Sequence, residues 1–369
     1  MTELELKLQR IRTLLRGEGL VALRLRGIDW FSWATCGGSN RMLLAAETGI
    51  AELLVTPDDA YALTDVIEAE RLAVEELPRG WNVVAHPWEE PDLRERLVRE
   101  RTGSGPIASD RPVHDERPLP DTFLRSRWAL LPEEQERLRT LGAETASILT
   151  DALSAAEPTW TGHRLSASVQ AGLVDLGIDP VLVLVGDAGR LWRWRHPTAA
   201  DRVLGRRAML VVCARRHGLY ACCTRLVAFG APMAEDVAAD SAVLEVEAAA
   251  LDASRPGATL AKILEEIQAA YGRAGKPGAW REHHQGGPTG YLARERVATP
   301  GDAAVLPAGA AVAWNPSLPG AKSEDTVLLA PDGGLEVVTS TRAGQPPPSP
   351  AGHGPRCGFA SFCYTPRHP

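Results

Sequence analysis

The sequence predicts an α/β domain over residues 1–125, an α+β domain over 126–340 and a proline-rich tail over 341–369. Three observations carry that prediction. In the first third, short apolar runs alternate with charged amphipathic stretches, the pattern of helices packed on a sheet. Beyond Pro132, long helical patterns and apolar strand patterns fall in separate blocks. The chain of 369 residues is long enough for two cores.

Taken in order, residues 4–16 have helical period and are followed by Gly17, Gly19 and the apolar run 20–25. Further strands are expected at 49–56, 60–63, 81–86 and 106–108, with helices at 64–77 and 91–101 between them. Trp30, Phe31 and Trp33 precede Gly37 and Gly38, which suits either core packing or a lid over a neighbouring site. Pro118 and Pro120 break the pattern at 115–127, where the domain ends. Pro132, then Glu133, Glu134 and Glu136, open a helix whose stripe is Leu138, Leu141, Ile148, Leu149 and Leu153. A helix at 163–176, strands at 181–185, 208–213 and 220–229, and helices at 235–253 and 259–271 follow. The closing strands fall at 310–314, 326–330 and 335–339. The tail has too little apolar surface to fold alone.

The net charge of −7, with 40 Lys and Arg scattered along the chain, argues against a nucleic-acid surface. No run is long and apolar enough for a membrane span, and the amphipathic start reads as a helix, not an export signal. Six cysteines without CxxC spacing suit a reducing compartment. A cytoplasmic protein with a small-molecule substrate is therefore expected.

The densest run of special residues is HHQGGPTGY, from His283 to Tyr291. Its composition opposes a helix or a central strand. Gly286, Gly287 and Gly290 permit close backbone approach, and the imidazoles and phenol supply donors and acceptors. An ordinary surface loop has the same composition.

Four more segments give this loop a context. RSRWALLPEEQERLR, RHPT at 195–198, LYACCTRLVAFG and WNPSLPGAKSEDTVLL occur in the order and character of the creatinase, prolidase and aminopeptidase P family, which residues 1 to about 340 resemble. The resemblance implies a pita-bread fold for the second domain and a smaller α/β domain before it. It also implies a homodimer in which the N-terminal domain of one subunit borders the other's site, giving Trp30 and Trp33 a role. In that family's peptidases two Asp, one His and two Glu hold two metal ions. Carried over, these positions fall on about Val211, on Cys222, at or near Gly287, on Asn315 and on Glu324. Only Glu324 keeps its carboxylate, so the resemblance implies a branch with a degenerate metal site and no metal cofactor. A single zinc or manganese on Cys222, one of His283 or His284, and Glu324 stays open.

Creatinase uses this fold without metal to cleave a carbon–nitrogen bond, with a histidine as acid and base. His196 and Glu324 fall near its histidine and one of its glutamates, whereas the other glutamate falls near Thr224. A cationic guanidinium substrate therefore loses half its clamp. Arg190, Arg193, Arg195, Arg215, Arg216, Arg225, Arg281 and Arg294 lie in or beside the motif segments, with Lys322 next to Glu324, and favour an anionic, amino-acid-like substrate. Three readings follow. The first is a metal-independent hydrolase or lyase of a C–N bond. In it His196, Glu324 and His284 are catalytic, and Arg195, Arg225, His283, Tyr291, Asn315 and Lys322 bind substrate. The second is an inactive homologue that binds a peptide or protein. The third is an Xaa-Pro metallopeptidase with a rearranged metal site.

Overall fold

The computed structural model describes residues 1–340 and 362–365. The chain divides into two compact units, Met1–Arg127 and Trp128–Pro369. None of the described helices is long and apolar enough to cross a membrane.

The first unit starts with α1 (Glu3–Glu18), where Thr2 and Glu5 form a capping box and Gly19 ends the helix in the left-handed region. Strand β1 (Ala22–Gly27) runs into α2 (Ile28–Ala34), and β2 (Thr48–Val55) and β3 (Ala60–Asp65) follow. The helix expected at 64–77 shrinks to α3 (Ala69–Arg71) and a π turn at Leu72–Glu76, because β3 already takes Thr64 and Asp65. The unit closes with β4 (Asn82–His86), α4 (Leu93–Thr102), β5 (Ile107–Ser109), β6 (Arg117–Pro118) and α5 (Asp121–Ser126). The sheet is mixed, in the order β4-β3-β2-β1-β5-β6. Trp30 and Trp33 are buried, with Trp30 stacked on Phe123 at 5.4 Å and Trp33 edge-on to it. They are core residues of this unit, and the lid alternative falls away.

In the second unit α6 (Pro132–Ala155) begins with proline in its first turn, and Glu134 accepts from the Leu131 N–H at 2.7 Å. After α7 (Gly162–Asp175) and β7 (Asp179–Asp187), the long strands β8 (Arg207–Arg216) and β9 (Leu219–Phe229) form a hairpin. His217 and Gly218, both at positive φ, make its two-residue turn. Helices α8 (Ala234–Ala253) and α9 (Leu260–Arg273) bury Val243, Val246, Ile263 and Ile267 against Trp314 and Val327. The last strands are β10 (Gly286–Thr289), β11 (Ala311–Trp314), β12 (Ser317–Leu318), β13 (Ala321–Lys322), β14 (Asp325–Leu329) and β15 (Leu335–Val337).

Two differences from the sequence reading stand out. Part of the glycine-rich run is not a loop but β10, at the edge of the sheet β10-β11-β14-β15. An edge tolerates Pro288 because its missing N–H breaks no ladder bond on the open side. In the tail, residues 341–361 and 366–369 lie outside the described residues, but Phe362–Thr365 form β16, parallel to β9.

The two larger sheets of the second unit meet along β9. Thr224 donates its N–H to the Glu324 carbonyl at 2.9 Å, and Tyr220 donates to that of Gly290 at 2.8 Å. Cys222 and Thr326 exchange two hydrogen bonds, at 2.8 and 3.0 Å. This seam places the glycine-rich strand, β9 and the SEDT segment side by side.

Candidate active site

Side chains alternate along β8 and β9, so one face carries Val211 and Cys213 opposite Thr224 and Cys222. Glu324 stands over that face, buried. Its carboxylate accepts from Thr224 Oγ1 at 3.0 Å and from Arg294 Nη2 at 2.5 Å, and Lys322 Nζ lies 3.1 Å away. Burial alone would push this carboxyl up, but Lys322 and Arg294 outweigh it and hold the pKa near about 2. Glu324 is therefore ionised and saturated with cationic partners.

Beside it lie three imidazoles from two segments. His196 follows β7 in the chain, where Thr198 bridges to Leu184, and His283 and His284 follow the 3₁₀ turn Ala279–Glu282. The Nε2 atoms of His196 and His283 are 2.8 Å apart, and His283 stacks on His284 with centroids 4.5 Å apart. One ring nitrogen from each lies within 4.8 Å of the other two. Burial pushes His283 down to about 3 and His284 to about 4, with Lys322 adding to both and Arg294 to His284. His196 is lowered by burial and then by Lys322. All three are thus neutral at neutral pH. Two neutral imidazoles at this separation form one donor–acceptor pair, through which a proton can pass.

Gln285 fixes the segment, donating to the carbonyls of His283 and Trp280 at 2.6 and 3.0 Å and accepting from the Tyr271 hydroxyl at 3.0 Å. The Asn315 N–H donates to the Gln285 carbonyl at 3.0 Å. Asn315 Oδ1 and His283 Nδ1 are buried with no hydrogen-bond partner among the described residues. Such orphaned polar atoms are costly unless a ligand or water satisfies them.

The structure thus brings together His196, His283, His284, Lys322 and Glu324, with Asn315 attached through Gln285. Arg195, next to His196, pairs with Glu282. Two residues expected to bind substrate do not belong here. Arg225 points to the other face of β9, where it donates to Asp325 at 2.7 Å and to the carbonyls of Thr339 and Thr224 at 2.6 and 2.8 Å. Every second side chain of a strand faces away, and Arg225 is one position from Thr224. Tyr291 is buried, with its hydroxyl donated to Glu134 at 2.6 Å. The phenol holds α6 and does not line the histidine cluster.

In the sequence Arg294 is one basic residue among several, yet in the fold it anchors Glu324. Glu247, likewise unmarked in the sequence, accepts from the Ser323 hydroxyl and is pushed up to about 8 by burial and by Asp325. Glu247 is therefore largely protonated behind the SEDT segment at neutral pH. No sequence pattern marks these two, because both depend on contacts between distant segments.

Three of the positions to which the resemblance carries the peptidases' metal ligands have these surroundings. Val211 is buried in an apolar cluster with Leu184, Leu191, Met209 and Leu226. Cys222 lies beside Cys213, whose hydrogen bond, with Arg294, pulls the Cys222 thiol down while Cys213 is raised. At Gly287 a Cβ would come within 2.2 Å of the Arg296 carbonyl oxygen.

The fold has close counterparts. The chain is similar to dipeptidase PepE from Mycobacterium ulcerans, with 18% identity, a TM-score of 0.75 and 98% of each chain covered. It is also similar to an X-Pro aminopeptidase from Thermotoga maritima MSB8, with 18% identity, a TM-score of 0.74, and 90% of this chain and 97% of that one covered. The N-terminal domain of the FACT complex subunit SPT16 from Cicer arietinum shares the fold at 13% identity and a TM-score of 0.67, over 92% of this chain and 97% of that one. No curated protein matches the chain significantly. Residues 136–331, more than half of the chain, match the model of metallopeptidase family M24. By that match, and with the pita-bread architecture of its second unit, the chain is a member of metallopeptidase family M24.

Proposed function

We propose that this M24 protein is a hydrolase that cleaves a carbon–nitrogen bond of a small, anionic, amino-acid-derived substrate, with His196 as proton carrier and without a pair of catalytic metal ions. The 2.8 Å contact between His196 and His283 carries the reading. The exposed His196 takes a proton from the attacking water and returns it to the leaving nitrogen. His283, buried behind it, fixes the ring and shares the proton. Asn315 Oδ1 and His283 Nδ1 await partners from the substrate or from water.

The donor set supports the metal-free part. Oxygen-ligated divalent ions in pairs require several carboxylates. Val211, Cys222, Gly287, Asn315 and Glu324 offer one carboxylate, one amide and one thiol, and that carboxylate already serves Arg294 and Lys322. The set does not fit such a pair. Two cations against one carboxylate leave one positive charge, which suits an anion.

The test is turnover by chelator-treated protein on a panel of N-acyl, N-carbamoyl and N-amidino amino acids, with His196→Ala as control. Release of amine by the wild type alone supports the reading. Cleavage of Xaa-Pro dipeptides that requires added manganese or cobalt overturns it in favour of a rearranged metallopeptidase. A protein that turns over none of these and instead captures a peptide is a binding homologue, a reading favoured by the lost carboxylates.

A further inference from the structure

We propose that His196, His283 and His284 together form a binding site for one zinc-class transition-metal ion, and that its occupancy silences the proton shuttle. The binding half stands on geometry alone. The silencing half rests on the function proposed above.

The three rings come from two segments 87 residues apart, and one nitrogen from each lies within 4.8 Å of the others. Tetrahedral zinc, with bonds of about 2.0–2.1 Å to imidazole, sets its nitrogens about 3.3 Å apart. The His196–His283 separation of 2.8 Å opens to that value with a shift of about 0.5 Å when the proton between the two Nε2 atoms moves to the Nδ1 of its own ring. His284 sits at an exposed position beside them, with a ring nitrogen within 4.8 Å of theirs, and water would complete the fourth place.

With the ion on His283 Nε2, the proton of that ring stands on Nδ1, which is buried and has no hydrogen-bond partner among the described residues. None of the three histidines falls on the positions to which the resemblance carries the peptidases' metal ligands, about Val211, Cys222, at or near Gly287, Asn315 and Glu324. An all-nitrogen set favours zinc, cobalt, nickel and copper over magnesium and calcium, which demand oxygen. Lys322 and Arg294 stand nearby, and the one positive charge they leave after Glu324 opposes a dication and lowers its affinity without removing a donor. Once bound, the ion holds the lone pairs that the shuttle needs, so the metal acts as an inhibitor of the proposed reaction.

The experiment is titration of chelator-stripped full-length protein with cobalt(II), followed by the visible bands of four-coordinate cobalt, and with zinc, followed by calorimetry. One ion per chain is expected. Affinity should fall more than the 10–100-fold that outer-shell changes cost in each of His196→Ala, His283→Ala and His284→Ala. Cys222→Ser should bind as the wild type does. Because His283 is buried, the two exposed variants carry the test if His283→Ala fails to fold. Absence of the bands in the wild type overturns the site. So does binding that survives His196→Ala and His284→Ala, or binding lost in Cys222→Ser, which would place the ion on the thiol. Magnesium should give no heat. If a substrate is found, zinc should inhibit turnover with the midpoint of its binding. Activation by zinc would overturn the silencing and leave the site standing. If no substrate is found, the cobalt spectrum decides the binding half by itself.

Discussion

Replacing Glu324 by glutamine should cost the second unit about 3 kcal/mol at pH 7. The carboxylate is 1% exposed and lies against Arg294 at 2.5 Å and Lys322 at 3.1 Å. Its pKa falls from 4.5 in an unfolded chain to about 2 in the folded one. A shift of roughly 2.5 units corresponds to about 3 kcal/mol at about 1.4 kcal/mol per unit. Leaving buried cations unpaired independently costs about 3–5 kcal/mol. The folded pKa is depressed, so this stability is fully present above the unfolded value and is lost as pH falls from about 5 towards 2. Urea unfolding of wild type and Glu324→Gln, at pH 7 and at several acid pH values, reads both effects. The variant should be weaker at pH 7, and its stability should fall less steeply with acid. A variant within about 1 kcal/mol of wild type at pH 7 refutes the reasoning, since the median exposed ion pair is worth no more than that.

Four further outcomes are expected. His196→Ala should lower turnover by about 10²–10⁴-fold while leaving circular dichroism and melting unchanged, because the residue is exposed and acts by proton transfer. Turnover should be flat at neutral pH and fall on the acid side below the ordinary histidine value of about 6.5, since burial and Lys322 lower His196 and the protonated ring is no base. Gly287→Ala should destabilise by about 1–3 kcal/mol, because the added carbon meets the Arg296 carbonyl, which the bonds of Glu295 and Ala298 to Pro288 and Gly286 hold in place. Tyr291→Phe should cost about 1–3 kcal/mol through the lost buried hydrogen bond to Glu134 and leave KM unchanged, which checks that the phenol does not touch substrate.

Much of the fold was legible in the sequence because it follows from local rules. Thr2 with Glu5, Pro132 with Glu134, and the apolar stripe of α6 each specify a helix by themselves. The segment at 64–77 was misjudged because its charged pattern suits a helix whether or not a strand has already claimed its first residues. Gly286–Thr289 escaped as a strand because Gly and Pro oppose central strands but not edges. His196, His283 and His284 were each visible as candidates, but their meeting is a product of the fold across 87 residues. Arg225 is the instructive failure. The alternation that puts Cys222 and Cys223 on opposite faces also parts Thr224 from Arg225, and it was legible in the chain. Arg294 was not, since only the folded seam brings it to Glu324.

The most direct test of the central claim is metal content measured together with turnover, before and after dialysis against a strong chelator. The account predicts at most one transition-metal ion per chain, and turnover that survives its removal or rises. Two ions per chain, with activity lost on chelation and restored by manganese or cobalt, would contradict it.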